Sequence, residues 1–351
     1  MKRIELNCFL KGIQVLIIVL FVLTGCDNRQ KSIVQQDEYM LGTLIQAKVF
    51  NIDKKSAKKS LTRAFQRVQE IEERFSVNIP TSEVSCINEN AGIIPISVNE
   101  ETIKVLEKSI YYAKLSGGAF DPTIGALVNL WGIGTKDAKV PDNQSLKETM
   151  DTIGFNNLII NKDKLTAYLT KSGSKLDLGA IVKGYAADEM KKILVEEGIK
   201  TAFLNLGGNV LVIGSKVDGS PWRIGVQNPF QRRGNYIGIL ETKDQAIVSS
   251  GNYERYFEQN NKKYHHILDP NTGYPSNNGL VSVTIITSQS IDADALSTSV
   301  YVMGLEKGLD LIENLPDTEA ILITEMKKVY ITSGLKEKFQ LTNGEFSYEK
   351  R

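Results

Sequence analysis

Histidine and cysteine are the scarce residues of this sequence. Among 351 residues there are two histidines, adjacent at His265 and His266, and three cysteines, Cys8, Cys26 and Cys86. A general base working near neutral pH is most simply one of that histidine pair. In a strand the two side chains point to opposite faces, so only one of them can serve. A surplus of charge is also missing: 42 Lys and Arg stand against 41 Asp and Glu, for a formal net charge of +1. That balance gives a nucleic-acid partner no electrostatic support. Low-complexity tracts, a repeat of fixed period and the GxxxxGK[ST] spacing of a phosphate-binding loop are absent as well. The apolar run Ile13–Leu23 is too short for a comfortable membrane span.

What is there begins with that run. Lys2, Arg3 and Lys11 precede it and small residues follow, the layout of an export signal. Leu23-Thr24-Gly25-Cys26 resembles a bacterial lipobox. The resemblance implies cleavage before Cys26, a diacylglycerol on its sulfur and acylation of the new amino terminus. Several chains anchor a protein stably where one does not. The alternative is an uncleaved signal anchor. The expected layout is a signal peptide over 1–25, a lipid-anchored polar tether over 26–37 and one domain over 38–345. The protein is then expected on the cell membrane, facing outside the cytoplasm. With Cys8 cut away and Cys26 lipidated, Cys86 is alone, so no internal disulfide forms and the core must hold the fold.

Along the chain, Leu44–Phe50 reads as a strand. Leu61, Phe65, Val68, Ile71 and Phe75 recur at helical spacing through a helix over Lys54–Phe75. The stretch Asn78–Gly92 reads as loop. Asn99 caps a second helix that ends at Ser116-Gly117-Gly118. Leu176–Asp188 feeds a third helix that runs to Glu197. Beyond it, strands dominate and neighbours look antiparallel, which predicts one α+β domain with flanking helices.

The chemistry gathers in glycine-rich turns at Ala119–Pro122, Asp177–Tyr185, Ser249–Tyr256 and His265–Pro275, where glycine lets the backbone approach a ligand closely. The turn before the third helix is a ready anion site, because free N–H groups point outward at a helix start. In Gly279–Gly304 an alternating strand leads into a helix predicted from Asp292. Asp294 and Thr298 are one turn apart on one face of it, two hard oxygen donors suited to Mg²⁺. The same acidic start is equally an ordinary capped helix.

Seven segments together resemble the FAD:protein FMN transferases, the ApbE flavin transferase lipoproteins. They are GGAFDPTIGALVNLWG, LDLGAIVKGYAAD, LNLGGNVLVIG, WRIGVQNP, SSGNYERYF, YHHILDPNTGYP and DADALSTSVYVMG, in family order. The resemblance implies an FAD cleft between two lobes and a Mg²⁺ ion on the FAD diphosphate. The ion is held by the Ala180 carbonyl, Asp294 and Thr298. Flavin contacts fall on Met40, Ala119, Phe120, Asp121 and Asp177, with Lys183, Tyr185 and Gly251 in the same motifs. The histidine before Ile-Leu-Asp-Pro is His266, the candidate proton acceptor, with Asp294 as its partner in catalysis. Asp292 is expected beside the metal or as an alternative ligand. The implied reaction attaches FMN through a phosphodiester to a Thr or Ser of a membrane redox subunit and releases AMP. Asn78 stands where many members carry Tyr, which implies room for water and more hydrolysis of FAD to FMN and AMP. The competing readings are a Mg²⁺-dependent FAD pyrophosphatase and a lipoprotein that binds FAD without turnover.

Overall fold

The computed structural model describes residues 32–349, so the expected signal peptide and Cys26 lie outside the described residues. The chain opens with a hairpin of β1 (Ser32–Met40) and β2 (Thr43–Ile52). Strand β1 therefore takes up residues 32–37, which the sequence reading assigned to the tether. It is an edge strand with one paired side, where Val34 and Met40 are buried while Ile33 and Tyr39 are exposed among polar residues, so no clean alternation marks it.

Helix α1 (Lys54–Phe75) forms where its apolar stripe places it. Asp53 caps it, accepting from the Lys55 and Ser56 N–H groups at 3.1 and 3.0 Å. A short helix, α2 (Glu83–Glu89), interrupts the expected loop, capped by Ser82. After β3 (Ile96–Ser97) comes α3 (Glu100–Leu115), capped by Asn99 as read. Two further helices, α4 (Gly125–Trp131) and α5 (Asn143–Met150), precede β4 (Leu158–Asn161) and β5 (Thr166–Leu169). Helix α6 (Val182–Glu196) leads to β6 (Ala202–Leu206), β7 (Asn209–Ile213), β8 (Trp222–Gln227), β9 (Tyr236–Thr242) and β10 (Ala246–Gly251). A small hairpin, β11 (Tyr256–Gln259) and β12 (Lys262–His265), precedes β13 (Leu280–Thr287) and α7 (Ser290–Met303). The chain ends with α8 (Leu305–Glu313), β14 (Glu319–Thr324), β15 (Lys328–Ile331), β16 (Phe339–Leu341) and β17 (Ser347–Tyr348).

Nine strands build the main sheet in the order β1-β2-β6-β7-β10-β13-β14-β15-β17. Every pairing in it is antiparallel except β15 with β17. This is the α+β architecture expected. All eight residues of β13 are buried, because both faces of the sheet are covered there. On one face lie α1, α6 and α7, whose Leu61, Ala186, Met190 and Leu296 share a core with Leu204, Leu211 and Val283 of the strands. On the other, Val212, Ile286 and Ile321 pack with Ile237 and Phe339 of the three-stranded sheet β16-β9-β8. A satellite core of Leu127, Trp131, Leu146 and Leu268 sits apart from both. Two of the glycine-rich segments run from the main core to the satellite: Phe120 packs in the first and Ile124 against the second, as do Ile267 and Leu268.

Candidate active site

The site begins where α6 crosses α7. Gly184 lets them touch: a Cβ there would fall 2.2 Å from the Ser290 carbonyl oxygen. One turn further along α6, Asp188 caps α7 from outside, its two oxygens accepting from the Ser290 and Ile291 N–H groups at 2.8 Å each. Burial pushes the Asp188 carboxyl up to about 6. Sequence reasoning missed this cap, because the residue that supplies it lies 102 positions upstream. It also explains why α7 starts at Ser290, two residues before the expected Asp292.

That crossing delivers Asp294, which is 3% exposed, to the turn ahead of α6. Its Oδ2 accepts from the Gly184 N–H at 2.9 Å. Its Oδ1 lies 3.4 Å from Lys183 Nζ, which donates to the Gly179 carbonyl at 2.6 Å. Lys183 thus sets a cation between a carbonyl and a carboxylate, at the turn that carries Ala180. Thr298 is half-buried one helical turn beyond Asp294. These donors are all hard oxygens. No group of three or more His, Cys, Asp or Glu side chains able to hold a metal exists among the described residues. A nitrogen- or sulfur-seeking metal therefore finds no ligand set, whereas Mg²⁺, which takes few protein oxygens and keeps phosphate and water oxygens, fits.

Other residues meet this point. Asp177 Oδ1 accepts from the Gly179 N–H at 2.8 Å, and its own N–H donates to the Pro122 carbonyl at 2.9 Å, which joins Ala119–Asp121 to the same turn. Asn88 holds the preceding residue at both ends, donating to the Leu176 carbonyl at 3.0 Å and accepting from its N–H at 2.6 Å. Nothing in the sequence marks Asn88 for this. Gly251 ends β10, where Ser250 Oγ lies 2.8 Å from Ser297 Oγ. Met40 is buried beside the hairpin turn, whose Leu41 N–H donates to Glu72 Oε1 of α1 at 2.8 Å.

The two histidines separate, but not by strand alternation: β12 ends at His265, and His266 lies in the bend that follows. His265 is buried and both ring nitrogens are used: Nε2–H donates to the Ser276 carbonyl at 2.9 Å, and Nδ1 accepts from the Ile267 N–H at 3.3 Å. His266 is half-buried, and its Nδ1–H donates to the Arg255 carbonyl at 3.1 Å. That bond fixes the tautomer and leaves Nε2 with a free lone pair. Burial, aided by the charges of Arg255 and Lys183, lowers the His266 pKa to about 3. Burial lowers His265 to about 4.

Four expected residues do other work. Asp292 turns away from the turn ahead of α6 to pair with Lys108 of α3 at 2.7 Å, so it is a brace between helices and not a group beside Asp294. Burial, with the Asp292 charge second, pushes the Tyr112 hydroxyl up beside it. Tyr185 bonds Glu101 at 2.6 Å, within a network that includes Arg67, Arg74 and Glu189. Asp121 spends both oxygens on structure, one accepting from Thr123 at 2.8 and 2.6 Å within its loop and the other from the Phe155 N–H at 2.9 Å, 34 residues on. Asp121 thus shapes the wall without offering a free carboxylate. Asn78 is exposed after α1, and no hydrogen bond among the described residues joins it to the cluster. A separate cavity of about 380 Å³, lined by Phe50, Thr201, Lys216, Val217, Asp218 and Trp222, lies at the far end of β2 and β6 from Met40 and holds none of these residues.

Comparison with known proteins follows the same lines. The ApbE family model matches residues 41–322. A FAD:protein FMN transferase of Treponema pallidum is 32% identical over 361 residues, covering 98% of this chain and 99% of its own. One from Klebsiella pneumoniae is 34% identical over 313 residues, covering 89% and 95%. Among solved structures, the ApbE protein of Thermotoga maritima superposes with a TM-score of 0.80 at 32% identity, covering 87% of this chain and 98% of its own. The flavin transferase ApbE of Vibrio cholerae gives 0.78 at 30% identity, covering 88% and 99%. With a matching family model over most of its length and the same fold in these relatives, the chain belongs to the ApbE family.

Proposed function

We propose that this protein is a FAD:protein FMN transferase. A Thr or Ser hydroxyl of an acceptor protein attacks the phosphorus on the FMN side of the FAD diphosphate. The phosphorus–oxygen bond to AMP breaks, AMP leaves, and FMN stays on the acceptor as a phosphodiester. The proton of the hydroxyl goes to His266 Nε2, the lone pair that the Arg255 carbonyl leaves free. Burial, with the charges of Arg255 and Lys183, depresses that nitrogen in the free protein, and a negative diphosphate offsets the two charges, so substrate raises its basicity. Asp294, Thr298 and the Ala180 carbonyl are the residues that would hold Mg²⁺. When bound, the ion neutralises charge building on the diphosphate. The observation that carries the reading is the meeting of buried Asp294 with the Gly179–Gly184 turn. Asp294→Ala tests it: Mg²⁺-dependent AMP release should fall by at least about a hundredfold, the scale of losing one well-placed electrostatic group. Retained release overturns the assignment.

A second reading, FAD hydrolysis alongside transfer, is supported by the small amide Asn78 at a position where the resemblance expects Tyr. An aromatic at that position would stack on flavin and exclude water. Asn78→Tyr should shift the products from free FMN toward modified acceptor, and an unchanged partition refutes the idea. The lipobox-like segment around Cys26 supports a lipid anchor outside the cytoplasm, where membrane electron-transfer subunits would be the acceptors. Mass spectrometry of the amino-terminal peptide from a membrane fraction checks this: an unmodified terminus rules it out.

A further inference from the structure

Asn209, the first residue of β7, is 2% exposed, yet its amide nitrogen has no hydrogen-bond partner. A buried donor left unmade bears its full desolvation cost, and proteins seldom keep one without a use. Its direction follows from the pleat. Leu211 and Ile213, on the same side of β7, pack in the core beneath the helices, while Val212 packs on the opposite face. Asn209 therefore faces α6 and α7. It pairs with Leu206 of β6 and Val248 of β10. Ser250 is its diagonal neighbour on β10, a separation of about 7–8 Å. That hydroxyl touches Ser297, which in turn donates to the Asp294 carbonyl at 2.9 Å. The turn before Asn209 abuts the hairpin that carries Met40: a Cβ on Gly207 would fall 2.2 Å from Thr43 Oγ1. The orphan amide thus sits on the floor of the sheet between the Met40 turn and the Asp294–Thr298 turn.

We infer that the Asn209 amide is a binding group for FAD, donating to an oxygen acceptor on the diphosphate–ribityl part of the dinucleotide. This rests on the transferase reading, because it takes FAD as the molecule that lies over that floor. A neutral donor suits the place: it adds a hydrogen bond without adding charge. The empty protein bears the desolvation of the unpaired amide and the complex relieves it, so Asn209 lowers the stability of the free protein and raises its affinity.

The test separates these two effects. FAD dissociation constants are measured by flavin fluorescence with Mg²⁺ present for the wild type, Asn209→Ala and Asn209→Asp, and each protein is melted without FAD. The expected result is about a tenfold weaker constant for Asn209→Ala, the worth of one hydrogen bond to a charged acceptor. Asn209→Asp should be weaker still, because a carboxylate replaces the donor. The melting temperature of free Asn209→Ala should equal or exceed that of the wild type. Unchanged FAD binding in both variants overturns the inference. So does weakened binding matched by a lower melting temperature, which is the mark of a structural residue. A wild-type protein that fails to bind FAD sinks the transferase reading itself.

Discussion

The end of a strand puts two adjacent imidazoles to different uses, His265 as the last residue of β12 and His266 in the bend after it. His265 saturates both nitrogens inside the fold, while His266 keeps Nε2 open. They must therefore be opposite tautomers. Long-range proton–nitrogen NMR on the protein, whose two histidines are its only ones, should show His265 protonated at Nε2 and His266 at Nδ1. With pKa values lowered to about 4 and about 3, neither should titrate between about pH 8 and pH 5. A titration near the ordinary value at either ring contradicts the assignment. Asp188 makes a second claim at this scale. Burial raises its folded pKa from the ordinary 3.8 to about 6, so the folded state holds the extra proton between those values. The stability this gives is fully present below the lower value, shrinks as pH rises and is gone above the upper one. Denaturant midpoints of the wild type should therefore fall relative to Asp188→Asn between about pH 4 and pH 7, and a pH-independent difference refutes the raised pKa. That only one histidine of the pair stays open is legible in the sequence; that a bend rather than strand alternation separates them is not. The fates of Asp188 and Asp292 are not, because their partners lie on distant elements: Ser290 and Ile291 for one, Lys108 for the other.

At the scale of elements, the crossing of α6 and α7 governs the site. Gly184→Ala puts a methyl into the Ser290 carbonyl, and backbone on both sides cannot yield cheaply. The expected cost is about 2 kcal/mol of stability, the range for overpacking, read as a lower urea midpoint at an unchanged slope. Lys183 and Asp294 separate in the same change, so the variant should lose Mg²⁺-dependent FAD binding even where it remains folded. A variant with wild-type midpoint and binding shows that the helices do not meet as described. Strongly periodic elements were readable: α1 has the bounds its apolar stripe gives, and the Asn99 cap holds. Helix α2 escaped reading because seven residues present only Val84 and Ile87 to a core. Helix α4 escaped because it opens on a glycine, and β1 because its exposed positions mix polar residues with Ile33 and Tyr39, which blurs the alternation.

At the scale of the whole molecule, a nine-stranded sheet covered on both faces explains how a domain with one free cysteine, Cys86, holds together without a disulfide. No helix among the described residues is long and apolar enough to cross a membrane. The α+β class was legible because antiparallel neighbours follow one another along the chain. The satellite core was not, since it depends on Trp131 Nε1 reaching the Gly273 carbonyl at 2.8 Å across 142 residues. That bond ties the turn at Gly273 to the end of α4. The measurement that bears most directly on this account mixes the protein, FAD, Mg²⁺ and an acceptor domain, and follows AMP release together with the intact mass of the acceptor. The account predicts one FMN gained by the acceptor per transferred AMP, both lost when Mg²⁺ is chelated or Asp294 is replaced by Ala. Bound FAD with no AMP and no gain in mass would contradict it.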